Sequence, residues 1–572
     1  MMAVTFAFLS LTSGHNMALT QVRNAMLNLA DAGIAPAKID YAFPKHFAGA
    51  GDTSNQATAF QAFINTLAAG DIVDLQGQTI YLGSIITIST SNIKLMNGTF
   101  VVHSDMLSTS SVFRVTGTAA SAIALTGNSG RGNFTLTMAS TASLSKDQLV
   151  LLYSDDLYAR RSSAQVNSSE LCYIRSISSG TQAIVYQPFA QDYTTSDNAS
   201  IIPITPVKNV TFDRITIDGT ANDANIGIEV IYGQNVEINN CVLLDLFNRG
   251  VEFETCYACT VRDCIIQVDG STAMYGVAII DGCRSIQVIS NTFHRCRHGV
   301  THGGGYVNRD CWIAYNAVYG ATNAGLDAHS GADNVHFHSN AVHVEGSDGT
   351  NDGIIYQGTN GRITENTIYG TVRQAIYYQS MAYSATDDRD YTVTIRGNTI
   401  NTDVCQRAVV VETDDSPGPG QTTAELSNVV IADNNCTNKV EFTESVIRVY
   451  ANGASIRSIT ISGNTIRRSG DTASSHGIEV RALTGYVAHR ISITGNTIWG
   501  EEGALADGIN LNGADANSIR YGAVTGNVIQ TCDTGVNGTN TYWFIVSGNS
   551  VFGDVTADFS MSANDTVTAN RT

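Results

Sequence analysis

Between about residue 209 and residue 552, apolar and polar positions follow one phrase, apolar-x-x-Asn-x-apolar. It occurs at Val288–Phe293, Ile313–Val318, Phe337–Val342, Ile363–Ile368, Ile395–Ile400, Ile461–Ile466, Val524–Ile529 and Val546–Val551. The Asn slot is also filled at Asn434 and Asn496, with Cys241 and Cys264 holding it earlier, and steps of 22 to 36 residues separate the positions. A second phrase runs in phase with the first. Gly227, Gly250, Gly276, Gly299, Gly325, Gly353, Gly477, Gly508 and Gly535 are each followed by Ile, Val or Leu. Two phrases locked to one period predict a stacked solenoid.

An Asn in a turn can hydrogen-bond the same turn in the coils above and below, so the repeated amide stacks as a ladder. Apolar residues two or three positions away point inward, each buried Ile or Val contributing roughly 1.5–3 kcal/mol. One coil of this length cannot close a core alone, and its stacked neighbours complete it. At about 4.8 Å per coil, a dozen coils make a rod roughly 55–60 Å long. The predicted fold is all-β, a parallel β-helix over residues 206–552.

The flanking segments read differently. In residues 1–38, Leu19, Val22, Met26 and Leu29 predict a helix over Ala18–Asp31 that Gly33 ends. It serves either as an attachment or oligomerisation helix or packs on its own body. Residues 39–106 hold a second helix and the first coils. Thr53 and Gln56 form a capping-box pattern, and Phe60, Phe63, Ile64 and Leu67 mark one apolar face, suited to sealing the open end of the core. Asp71–Tyr81 reads as a strand pair. Residues 107–205 contain aperiodic strand-like runs such as 148–153 and 183–186, and are expected to form a β insertion. Residues 553–572 are left as a C-terminal tail.

Composition narrows the classes of function. With 52 Gly, 7 Pro and 15% charged residues, the chain is turn-rich β rather than disordered. A net charge of −19 argues against a nucleic-acid partner. No apolar run is long enough for a membrane span, and the opening MMAVTFAFLSL lacks the basic residues of a cleaved leader. The 11 cysteines, including the CxxC at Cys256 and Cys259, read as buried thiols rather than a metal site. Gly346–Gly353 resembles a weak calcium loop, for which an ordinary turn is the simpler reading; beyond this structural Ca²⁺ no cofactor or metal is implied.

Chemistry concentrates in one window. Of 12 histidines, seven (His294, His298, His302, His329, His336, His338 and His343) lie within fifty residues. Strand alternation sorts them. The residue after each Gly points inward, so positions Gly−1, Gly+2 and Gly+4 face out. Gly−1 holds Arg249, Tyr275, His298, Asp352 and Gln374. Gly+2 holds Glu229, Glu252, Thr301, Asp327 and Tyr377. Gly+4 holds Glu254, His329, Gln357, Gln379 and Glu412. Acids, imidazoles, amides and aromatics on one face suit the binding and processing of sugar, with Tyr275, Tyr377 and Tyr378 as stacking candidates. His302 falls at Gly+3 and points inward unless Gly303-Gly304-Gly305 bulges the strand and re-aims it.

Two catalytic sets compete on that face. Asp327 and His329 are roughly 7 Å apart on one coil, with His298 and Thr301 about 5 Å away on the coil before. Arg297 and Arg309 in the flanking turns can neutralise a carboxylate, which is the machinery of proton abstraction beside a uronate, in β-elimination or epimerisation. The second set is carboxylate-based. Glu229 and Glu252 are about 5 Å apart on neighbouring coils, and Glu252 and Glu254 about 7 Å apart, which suits a glycosidase.

The repeats ISGNTI at 461–466, ITGNTI around Asn496 and VTGNVI at 524–529 resemble those of right-handed single-stranded parallel β-helix proteins of the pectate-lyase superfamily. Together with the helical cap and the β insertion, the chain looks most like bacteriophage tailspike depolymerases. That resemblance implies a homotrimer on a virion tail, joined to the tail or baseplate through the N-terminal segment, binding and cleaving bacterial surface polysaccharide. Asp327-Ala328-His329 also resembles the Asp-Pro-His motif of β-helical alginate epimerases, in which the Asp and His line the active groove, with Ala in place of Pro. A non-catalytic receptor-binding fibre and a secreted lyase or epimerase remain the alternatives.

Overall fold

The computed structural model describes residues 53–572 except 108–109, 162–163, 220–225, 270–273, 346–350, 381–390, 414–424, 443, 469–474, 501–504, 554–556, 569 and 571–572. The helix expected over Ala18–Asp31 and most of the calcium-like loop lie outside the described residues.

Each coil has three short strands. The Gly phrase makes one, the residues before the Asn a second and those after it a third, as in Tyr275–Ile280, Gln287–Ile289 and Thr292–His294. Every strand pairs in parallel with its counterpart one coil on, for example Val277 with Val300, Val288 with Ile313 and Phe293 with Val318. The result is three parallel sheets: a glycine face, a pre-asparagine face and a post-asparagine face. The inward positions Ile228, Val251, Val277, Val300, Leu326 and Ile354 are all fully buried in one continuous core.

The ladder Asn sits in the tight turn between the second and third strands. The residue before it is left-handed, as at Ser290, Tyr315, Ser339 and Glu365, or is glycine, as at Gly397, Gly463 and Gly495. Each side chain is saturated. Asn366 donates from its backbone N and its Nδ2 to Asn398 Oδ1 at 2.9 and 3.0 Å, and from Nδ2 to the Phe337 carbonyl at 3.0 Å. In earlier coils sulfur does the same work, Cys241 N donating to Cys264 Sγ at 3.3 Å and Cys264 N to Asn291 Oδ1 at 3.0 Å. A second thiol ladder runs from Gly233 N to Cys256 Sγ and from Cys256 N to Cys283 Sγ. All eleven cysteines are buried, and none is in a disulfide.

Several local expectations are corrected. The helix is Ala57–Ile64, with Phe60 and Ile64 buried as the pattern requires but Phe63 and Leu67 only partly so. Its capping box does not form. Asn55 Oδ1 accepts from Ala57 N, while Gln56 turns away and its Oε1 accepts from Tyr81 N. Ile72–Asp74 and Thr79–Leu82 do not pair with each other. Both pair with Lys94–Val102 of the next coil, because they are two sides of one coil. Ser111–Thr116 belongs to the glycine face, pairing with Ile226–Ile231, so the chain leaves the β-helix only after it. From Thr118 to Thr205 it forms a separate antiparallel seven-stranded sheet with its own small core. The last residues are no loose tail: Ala557–Ser560 and Thr566–Thr568 add strands, and Asn570 Oδ1 extends the ladder by accepting from Asn549 N at 3.0 Å.

The antiparallel sheet docks beside the coils that carry the histidines. Asn167 N donates to the Gly305 carbonyl at 2.8 Å, and Val307 N to Ser169 Oγ at 2.8 Å. Tyr158, Ala159, Val166 and Val307 close the junction as a small buried cluster.

Candidate functional site

The register of the glycine face brings the outward columns into line as alternation requires. Glu229, Glu252, Ala278, Thr301, Asp327, Ile355 and Tyr377 follow one another, coil by coil. Arg249, Tyr275 and His298 form a second line, and Gln357, Gln379 and Glu412 part of a third.

Three groups converge on one carboxylate. Asp327 Oδ2 lies 2.7 Å from His329 Nε2, 3.5 Å from His298 Nε2 and 3.5 Å from the donating Thr301 Oγ1. Asp327 and His298 are about 1% exposed at the side chain, whereas His329 is 28% exposed and forms the solvent side of the cluster. His298 is fixed in orientation: its Nδ1–H donates to the Ala324 carbonyl at 2.9 Å, and its ring stacks on Tyr275 at 5.4 Å. Burial, opposed by Asp327, holds the His298 imidazole below its ordinary pKa and therefore neutral. An open depression of about 190 Å³, lined by Arg249, Tyr275, Thr301, Gly303, Gly304 and His329 among others, lies directly over the cluster.

The same three side chains are, among the described residues, the one group of histidine, cysteine and acidic residues able to hold a metal ion, their ligand atoms lying within 4.8 Å of one another. Two imidazoles and a carboxylate suit a divalent transition ion. As they stand, His329 Nε2 and Asp327 Oδ2 lie 2.7 Å apart.

Other candidates are placed differently. His302 is a core residue: fully buried, edge-on to Phe337 at 6.4 Å, its pKa pushed down by burial to about 4. The glycine bulge begins one residue too late to turn it outward. Arg309 is buried as well, pairing with Asp333 at 3.2 Å beneath the docked sheet, so it cannot reach a ligand. Glu229 and Glu252 are neighbours as expected, but neither carboxylate stands ready as an acid. Arg114 Nε holds Glu229 at 2.6 Å, and Arg249 pairs with Glu252. Glu254 differs: burial, then Asp281 and Glu229, raise its pKa.

Tyr275 gives one ring face to His298, with Arg249 6.0 Å from its centroid, and so works as a support rather than an open platform. Tyr378 is in the core. Tyr377 donates to Glu412, and Gln357 donates to Gln379 at 3.0 Å, so these form a bonded polar strip along the face. Arg297 is half-buried in the turn before His298. Asp352 is clamped by Arg373 at 2.6 Å. Sequence reasoning passed over Arg114, Arg249 and Arg373 as counter-ions. Arg114 and Arg249 lie in or beside the acid columns, so reading each column for both signs of charge finds them.

The family profile described as a right-handed β-helix region matches residues 161–342, and one described as disaggregatase related matches residues 310–444. The chain is a right-handed parallel β-helix protein, and its fold is that of phage tailspikes. It is similar to the tailspike gp61 of Pseudomonas phage phi297, with a TM-score of 0.54 and 16% identity over 87% of this chain and 73% of that one. The gp54 tailspike of Acinetobacter baumannii bacteriophage AP22, in complex with capsular saccharide, gives 0.52 and 13% over 96% and 80%. The tailspike gp49 of Pseudomonas phage LKA1 gives 0.50 and 16% over 88% and 77%. No curated protein sequence matches the chain.

Proposed function

We propose that the protein is an extracellular, tailspike-like depolymerase that binds an anionic bacterial surface polysaccharide along the glycine face and cleaves it by β-elimination. The observation that carries this reading is the convergence of His298, His329 and Thr301 on Asp327 beneath an open depression. A carboxylate accepting from His329 Nε2–H leaves the imidazole lone pair on Nδ1, the arrangement of an oriented general base. That base takes the proton beside the uronate carboxylate. The electron pair forms the C4–C5 double bond, the C4–O glycosidic bond breaks, and the same imidazole returns the proton to the leaving oxygen. Arg297, in the turn before His298, is the cation assigned to the substrate carboxylate. Against hydrolysis, the two closest acids, Glu229 and Glu252, are each paired with an arginine rather than left open to a glycosidic oxygen.

The saccharide complex of a tailspike with this fold supports bacterial surface polysaccharide as the substrate class. Homotrimer formation and tail attachment through residues 1–38 belong to the same reading, and light scattering on the full chain tests the first.

Incubation with capsular and exopolysaccharides is expected to release products with the ultraviolet absorbance of an unsaturated uronate. His329→Ala and Asp327→Asn are expected to lower that rate roughly 10²–10⁴-fold with the fold intact. New reducing ends without absorbance sink β-elimination, and binding without shortening sinks the enzyme reading. Activity lost to a chelator and restored by a divalent ion transfers the same three residues to metal chemistry.

A further inference from the structure

The structure assigns a second contact for the polymer on the glycine face: Arg481, seated beside Tyr450, is an anion subsite remote from the reactive cluster. The assignment rests on the reading that the polysaccharide lies along this face.

The register supplies the distance. Asp327 pairs with Ile355, Ile355 with Tyr377, Tyr377 with Val410, Val410 with Arg448, and Arg448 with Glu479. Arg481 is on the strand of Glu479, five steps of about 4.8 Å from the cluster, or roughly 24 Å. It continues the outward column Gln357, Gln379, Glu412 and Tyr450, so it faces the same side as His329.

Charge sets this residue apart. Arg114 is matched by Glu229, Arg249 by Glu252, Arg373 by Asp352, Arg407 by Glu444 and Arg448 by Glu479. Arg481 has no carboxylate within 4.0 Å among the described residues, although the chain carries a net charge of −19. What it has is an aromatic support: its guanidinium is 5.3 Å from the Tyr450 centroid, and Arg448 sits 4.4 Å from the same ring. A guanidinium held against a ring keeps its N–H fork pointed away from the ring, the geometry that takes a carboxylate in bidentate fashion. An uncompensated, half-exposed cation on the polymer-facing column selects for acidic sugar residues several units from the bond being broken.

The test uses Asp327→Asn protein, so that binding is measured without cleavage. It is titrated calorimetrically with polygalacturonate, alginate and hyaluronate, with and without Arg481→Gln. At least one long polymer is expected to bind, roughly ten-fold more weakly once Arg481 is replaced, and with a shallower salt dependence. Arg481→Lys should recover only part of the loss, since ammonium cannot reproduce the fork. Fragments too short to span about 24 Å should not distinguish the variants. Failure of all three polymers to bind, equal binding by both variants, or equal loss for short fragments overturns the subsite. Cleavage that survives Asp327→Asn defeats the reaction reading but leaves an Arg481-dependent loss standing, so the two failures are separable.

Discussion

Two sets of side chains in this molecule stack at one residue per coil, and they obey opposite rules. In the turn ladder the same residue recurs from Asn291 to Asn570, and each internal amide gives and receives its full set of bonds. On the glycine face the outward columns mix acids, amides, imidazoles and aromatics, and the partners are heterogeneous: arginine on glutamate, tyrosine on histidine, two imidazoles on one aspartate. Repetition with saturation is what a scaffold needs, because any coil can then replace any other. Variation with convergence on one buried acid adds nothing to stacking that a Thr–Thr ladder would not supply. It marks the place where the solenoid does chemistry.

That contrast breaks if the ladder can be interrupted cheaply. Asn398→Ala removes the acceptor for Asn366 N and Nδ2 and the donor to Asn434 and to the Ile363 carbonyl, all in a fully buried turn. Leaving those groups unpaired is expected to cost on the order of 3–5 kcal/mol. Thermal denaturation should show the melting temperature several degrees lower, while activity per folded molecule is retained. A variant that melts with the wild type shows that the amides are exchangeable and that core burial alone sets the stacking.

The same contrast explains what the sequence disclosed. Identity repeated in phase is visible in one dimension, so the Asn and Gly phrases predicted the coils, the inward residues and even the outward columns. Alternation also brings Asp327, His298 and His329 together on one face. It failed where a property depends on a partner far along the chain. Nothing local to Glu229 announces Arg114, 115 residues earlier and across the whole antiparallel sheet. Nothing near Arg309 shows that this sheet will bury it. The helix cap went wrong for the same reason: Gln56 satisfies Tyr81 in the strand Thr79–Leu82 rather than its own helix. For His302 the alternation was right and the bulge misleading, since Asn308 and Asp281 absorb the extra glycines after the strand has already pointed the imidazole inward.

His302 therefore sharpens the comparison from within the core. Its inward column reads Val230, Phe253, Ile279, His302, Ala328, Tyr356 and Tyr378, so it is the one imidazole in a row that is otherwise apolar apart from two tyrosine hydroxyls. With its pKa near 4 in the fold against 6.5 unfolded, the native state prefers the neutral ring. That stability is fully present above pH 6.5 and is lost progressively as pH falls toward 4, by about 3 kcal/mol in all. Denaturant melts of wild type and His302→Leu should converge above pH 7, apart from a constant packing offset, and separate in favour of His302→Leu as the solution is acidified. Parallel curves from pH 7 to 4 show that the imidazole does not gate acid stability.

The smallest expected effect lies in the ladder turn itself, one residue before the Asn. Glu365 holds φ 59 there, while the next coil places Gly397 at φ 68 in the same position. A left-handed conformation costs a side-chain-bearing residue about 1 kcal/mol. Glu365→Gly removes that cost but gives the unfolded chain more freedom, and it gives up a 3.3 Å hydrogen bond from Ser339 Oγ at an exposed site. The terms nearly cancel, so the expected gain is a few tenths of a kcal/mol, read as a small rise in denaturant midpoint with unchanged slope. A clear loss would mean that Glu365 serves the pre-asparagine face beside it, where His336 and His338 share the Thr364 hydroxyl. The boundary between scaffold and functional surface would then fall inside the turn rather than at the edge of the glycine face.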